Sequence, residues 1–173
     1  AFISITYDTY RRLIGDDFGD LVPGIFTDEP NVNDMRIESG LPHLPWTDGL
    51  DAYFRARRGY DFLDVAPYVF LDGERSAKAR HDFWWTISER FTEAYSAQIG
   101  QWCAAHGLAF TGHYLEENVL GFTIWRSGAV MPHYRHQHVP GIDMLCEQTN
   151  EYLTVKQCTS VAHQFGRPLV LSE

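Results

Sequence analysis

The chain alternates between short apolar runs that close on acids or histidines and longer stretches whose apolar residues recur every three or four positions. Four runs read as strands with polar groups at their C-terminal ends. They are Gly24-Ile25-Phe26-Thr27-Asp28-Glu29, Ala109-Phe110-Thr111-Gly112-His113-Tyr114-Leu115-Glu116, Gly141-Ile142-Asp143-Met144-Leu145-Cys146-Glu147 and Pro168-Leu169-Val170-Leu171-Ser172-Glu173. The last reads as a buried strand that delivers a carboxylate at Glu173. Helical spacing fills three other stretches. From Ser76 to His106, Trp84, Ile87, Phe91, Ala94, Tyr95, Ile99 and Trp102 fall three and four apart, and Gly107 supplies a left-handed stop. A second helix is expected from Asp48 to Arg58, with Thr47 as N-cap and Gly59 as terminator, and a third from Glu151 to Phe165, closed by Gly166.

A strand, a loop, helices, a strand, a long loop, a strand, a helix and a strand in that order demand parallel pairing with crossover connections. The expected class is α/β: a partial (β/α)8 barrel of about four parallel strands with crossover helices, covering residues 1–173 without an internal boundary. The polar strand ends should then meet at one face. A start at Ala1 without methionine, and a final strand with no helix after it, lead us to expect a fragment of a catalytic domain whose first partner is the rest of its own barrel. Two long connections leave strand ends, Pro30 to Trp46 and Asn118 to Pro140, on the side where barrel enzymes build substrate sites. Trp46 and Trp125 lie in them and are candidates to stack on a sugar face. Trp84, Trp85 and Trp102 fit helix packing instead.

Composition narrows the partners. A formal net charge of −9 argues against nucleic acid. No run of 18 apolar residues is present, so no membrane partner is expected. Cys103, Cys146 and Cys158 are odd in number and lack a CxxC spacing, which favours reduced, buried thiols; this tips localisation slightly towards the cytoplasm and leaves secretion open.

Candidate chemistry sits at the strand ends. Asp28 and Glu29 are successive carboxylates just before Pro30, so one should point into the mouth. Glu173 follows an apolar run, where a carboxylate needs a cation or a functional site. His113, Tyr114 and Glu116, together with Glu117, form a third polar group, and Asp143 is an acid between apolar neighbours. His133, His136 and His138 place three imidazoles within six residues, but at a spacing that matches no compact zinc motif, so His133 reads more readily as part of a substrate-binding loop.

The combination of FTDEP, the Trp-rich helix, FTGHYLEEN, PGIDML and LVLSE resembles the catalytic barrel of (β/α)8 glycoside hydrolases, most closely the α-L-rhamnosidases of glycoside hydrolase family 106. The resemblance covers nearly the whole chain and perhaps half of that barrel. In the wider superfamily the two catalytic carboxylates end the fourth and seventh strands, an interval of three; Glu29 and Glu173 show the same interval. The resemblance implies a glycosidase acting on a carbohydrate substrate by inversion, with Glu29 as acid and Glu173 as base. Asp28, His113, Tyr114, Glu116, Asp143, Trp125 and His133 would bind substrate. It also implies an association with calcium, with Glu116 as a possible calcium or sugar ligand; no cofactor is demanded by the residues themselves. Two alternatives stand beside it: a metal-dependent barrel hydrolase using His113, His133, His136 and Asp143, and a non-catalytic carbohydrate-binding barrel.

Overall fold

The computed structural model describes residues 1–33, 43–144 and 151–173. Helices α1 (Phe2–Ile5) and α2 (Tyr7–Ile14) precede strand β1 (Gly24–Thr27). Helices α3 (Leu50–Arg58), α4 (Ala66–Phe70) and α5 (Ser76–Phe91) follow it, and α5 runs through a π turn at Thr92–Ala97 into α6 (Gln98–Ala105). Strand β2 (Ala109–Gly112), helices α7 (Leu120–Arg126) and α8 (Met131–Tyr134), strand β3 (Gly141–Ile142), helix α9 (Leu153–Gln164) and strand β4 (Leu171–Ser172) complete the order.

β1 pairs in parallel with β2, Gly24 opposite Ala109 and Thr27 opposite Gly112. β3 pairs in parallel with β4. The fold is thus mixed and helix-rich around two short parallel strand pairs, and the described residues do not close a barrel. Between the pairs, one side chain replaces a backbone ladder. Gln137 donates to the Gly112 carbonyl at 2.7 Å and accepts from the Gly141 amide at 3.1 Å, while the Phe110 carbonyl takes the His138 and Val139 amides at 2.8 and 3.2 Å. Buried backbone groups require partners, and here a buried amide side chain satisfies one on each strand.

Three apolar clusters hold these elements. Leu50 and Phe54 of α3 pack with Phe62, Val65, Ala79, Phe83 and Ile87, the rings of Phe54 and Phe62 meeting edge-on at 5.4 Å. Tyr7 joins Ile99, Cys103, Leu108 and Phe110 beneath β2. Tyr114, Val130, Tyr134, Ile142, Cys158 and Val161 fill the space between α8, α9 and β3. Each fully buried ring or branched side chain contributes about 1.5–3 kcal/mol. Cys103 and Cys158 are free thiols, and burial pushes them up to about 11 and about 12. Cys146 lies outside the described residues, as do Leu145, Glu147 and Pro42.

Several expectations need correction. The 118–140 connection is not a plain loop: it contains α7 and α8. Gly128 ends α7 at φ +80°, and Pro132 occupies the first turn of α8, where its missing N–H costs nothing, so both were helix punctuation rather than loop filler. α3 starts after Gly49 in the left-handed region, and Thr47 contributes its carbonyl to the Leu50 amide rather than a side-chain cap. The final run is strand only at Leu171–Ser172; Leu169 and Val170 are 64% and 47% exposed. Two-sided burial of that run would need a further element against it, and none of the described residues supplies one. The N-terminal α1 and α2 were not anticipated at all.

Candidate active site

The four strand ends converge on one imidazole. His113 follows β2 directly, is 2% exposed, and takes the Thr27 carbonyl on its amide at 3.2 Å. Gly112 makes that approach possible: at φ +133°, a Cβ there would lie 2.0 Å from the Thr27 oxygen. Phe26 meets the ring edge-on at 5.6 Å. Nε2 of His113 contacts the Glu173 carboxylate in a hydrogen bond, with an Asp28 oxygen at 3.4 Å. On a second grouping, Glu29 and Asp143 place carboxylate oxygens within 4.8 Å of one another and of a ring nitrogen of His113. Strands β1, β2, β3 and β4 each contribute to this cluster.

Glu29 carries local strain. Its φ is +45°, rare for a side-chain-bearing residue, and it immediately precedes Pro30, whose ring restricts the preceding residue to extended backbone. Such a conformation costs on the order of 1–3 kcal/mol and concentrates at functional sites. Asp143 is also held deliberately. Its amide donates to Glu117 at 2.7 Å, while its Oδ1 is buried without a hydrogen-bond partner.

Glu116 and Glu117 are held by different partners. Glu116, at φ +55°, turns away and receives the Arg126 guanidinium in a fork, Nε at 2.9 Å and Nη2 at 3.3 Å. That pairing holds its carboxyl below the usual range. Glu117 is buried and accepts from the Tyr134 hydroxyl at 2.5 Å, the Tyr114 amide at 3.2 Å and the Asp143 amide. Burial pushes its carboxyl up, and these three donors work against that. It is a strut from the end of β2 to the end of β3. Tyr114 lines the cleft but is buried, and its hydroxyl reaches Ser96 at 2.6 Å.

The histidine-rich stretch disperses. His133 is fully buried between Phe91 and Tyr114, so it cannot reach a substrate. The Tyr114 hydroxyl donates to Ser96 Oγ, Ser96 donates to His133 Nδ1 at 2.7 Å, and Nε2 donates to the Ser127 carbonyl at 3.3 Å. This chain fixes one neutral tautomer. The π turn at Thr92–Ala97 is what presents Ser96 to both rings. His138 accepts the Phe110 amide on Nδ1 at 3.0 Å. Among the described residues, neither His133 nor His136 joins a ligand cluster with His113 or Asp143, so the metal-dependent hydrolase alternative keeps only His113 and Asp143 of its four residues. Trp125 is half exposed but lies against Trp84 at 5.7 Å, and Trp46 lies against Phe62 at 5.4 Å.

Burial holds the His133 imidazole down at about 4. The unfolded chain titrates near 6.5, so the contribution is complete above that pH and is lost as pH falls towards 4. The expected size is about 3 kcal/mol. Urea unfolding at pH 7 and at pH 4 should show a pH-dependent loss larger by roughly that amount in the wild type than in His133→Asn; equal losses would show that the buried imidazole is not the group responsible.

A cleft of about 240 Å³ opens beside the carboxylates, lined by Glu29, Tyr114, Leu115, Glu116, Asn118 and Asp143. Larger, mainly apolar hollows of about 310 and 440 Å³ lie by Trp46 and by Trp84 and contain none of these acids. Of these hollows, the polar cleft is the one lined by the strand-end acids Glu29 and Asp143. Asp28, Glu29, Asp143 and Glu173 also offer oxygens of the kind a hard divalent cation takes, with the orphaned Asp143 Oδ1 in want of a partner.

No family model matches the sequence, and no curated protein matches it. Among solved structures, the chain is similar to the rhamnosidase from Novosphingobium sp. PP1Y, with a TM-score of 0.73 at 20% identity. The fold is distantly rhamnosidase-like. The match takes in 99% of this chain and 16% of that one, so the chain spans about a sixth of the neighbour's length. Of the residues singled out in the sequence, Asp28, Glu29, Asp143 and Glu173 gather around His113, whereas Tyr114, Glu116, Trp125 and His133 contact other partners. Glu117 is the residue that sequence reasoning undervalued. Its signal was the doubled acid after an apolar strand, of which only one member can face inward.

Proposed function

We propose that this chain carries the carboxylate pair of a glycoside hydrolase, with an α-L-rhamnoside as substrate. The observation that carries this reading is that Glu29 and Glu173, at the ends of the first and fourth strands, each lie against His113, in two acidic groups that share its ring. Glu29 donates a proton to the glycosidic oxygen, and Glu173 takes one from the attacking water. Asp28 and Asp143 receive sugar hydroxyls, and inversion is the expected stereochemical course. The strain at Glu29 and the likeness to a rhamnosidase support the same assignment. A bound calcium would draw on Asp143, whose buried Oδ1 lacks a hydrogen-bond partner among the described residues, and would orient and polarise sugar hydroxyls.

In this reading residues 1–173 are one part of a (β/α)8 barrel, corresponding to its fourth to seventh strands. Exposed apolar side chains support a missing neighbour along both outer strands: Phe26 on β1, and Leu169 and Val170 leading into β4. Tests therefore belong in the protein with whatever sequence flanks these residues in its gene. A panel of aryl glycosides should yield hydrolysis of the α-L-rhamnoside in preference to glucosides and galactosides, with nuclear magnetic resonance of the first-formed sugar showing the inverted anomer. Binding of rhamnose without turnover of any member would instead make this a carbohydrate-binding barrel.

A further inference from the structure

We propose that His113 is a positioning residue for Glu173, acting through its Nε2 proton; this rests on Glu173 being the base in the reading above. Nε2 contacts the Glu173 carboxylate, and Asp28 lies farther off at 3.4 Å. Nδ1 is buried and has no hydrogen-bond partner. Of the two neutral tautomers, only the one protonated on Nε2 gives Glu173 a donor, and it leaves a lone pair rather than an unpaired N–H at Nδ1. Among the described residues, no backbone carbonyl fixes the ring from the Nδ1 side. Its direction is set by the bond to Glu173, the Phe26 edge and the β1–β2 contact that seats its backbone.

This arrangement suits a base in a particular way. Glu173 is 47% exposed in its side chain, so without a fixed donor its carboxylate would sample several rotamers. The imidazole Nε2–H fixes one oxygen and leaves the other for water. The carboxylates facing the ring are Asp28, Glu29, Asp143 and Glu173, with Glu117 behind it, and none of them can donate this bond when ionised.

The test uses side chains that keep one ring nitrogen at a time. In His113→Gln the amide nitrogen reaches the Nε2 position; in His113→Asn it reaches only the Nδ1 position. The flanked protein and its His113→Gln, His113→Asn, His113→Ala and Glu173→Gln variants are assayed on one aryl glycoside for kcat and KM, with thermal midpoints alongside. We expect His113→Ala and His113→Asn to lower kcat by about 10–100-fold with KM little changed, and His113→Gln to restore most of it. His113→Ala combined with Glu173→Gln should be no slower than Glu173→Gln alone. Equal behaviour of the Gln and Asn variants, losses that merely follow the thermal midpoints, or additive losses in the double variant would overturn the positioning role. Those outcomes are distinguishable from failure of the underlying reading, in which Glu173→Gln itself retains wild-type kcat.

Discussion

Glu173→Gln in the flanked protein is expected to lower kcat on a natural glycoside by about 10²–10⁴-fold, and Glu29→Gln to do the same. Each change conserves volume and removes either the proton or the charge that the transition state uses, so KM should move little. The two variants should separate on an activated substrate. A good leaving group departs without protonation, so a dinitrophenyl glycoside should largely rescue Glu29→Gln and leave Glu173→Gln slow. The structure adds a reason why Glu29 is sensitive to more than its charge. Its backbone is held at φ +45° before Pro30, so the carboxylate direction depends on a strained main chain as well as on rotamer choice. Retention of more than about a tenth of wild-type kcat by both variants would assign these acids to structure and end the glycosidase reading at this site.

The strand ends were legible because a period-two run that stops at an acid or histidine is a local signal, and parallel pairing then forces such ends to one side. Gly24–Thr27 and Ala109–Gly112 show this: the strands pair in register, and His113 and Glu29 emerge together. Beyond the strand the alternation rule loses its hold. After Gly112 the chain leaves the sheet, and Glu116 at φ +55° reverses direction, so spacing no longer told which of Glu116 and Glu117 faces inward. Spacing did not place Tyr114 and His133 for a related reason. A polar tip on an aromatic body suits a wet mouth and a dry interior equally, and Ser96, which decides between them, is distant in sequence and presented by a π turn that no periodicity announces. Gln137 had no signal at all, because its value lies in a gap between two strand pairs.

Glu117→Leu is expected to be the most destabilising single change near the site, by about 3–5 kcal/mol, lowering the thermal midpoint by roughly 10–20 °C. The side chain is 2% exposed and receives three donors, two of them backbone amides that cannot turn to other partners. Leucine fills much of the volume but leaves the Tyr134 hydroxyl and the Tyr114 and Asp143 amides unpaired in a dry interior, at about 1–3 kcal/mol each. Tyr134→Phe removes one donor and keeps the carboxylate satisfied by the other two, so it should cost only about 1–2 kcal/mol. The difference between the two variants measures the strut rather than the packing around it. Glu117 also fixes Asp143 through the 2.7 Å bond to its amide. Any Glu117→Leu protein that still folds should therefore lose activity beyond its loss of stability, whereas Tyr134→Phe should not. Urea unfolding of both variants checks the first claim, and kcat of the folded fraction checks the second. A Glu117→Leu loss below about 1 kcal/mol would mean that the β2 and β3 ends are held together without Glu117, by the Gln137 bridge and the Phe110 carbonyl.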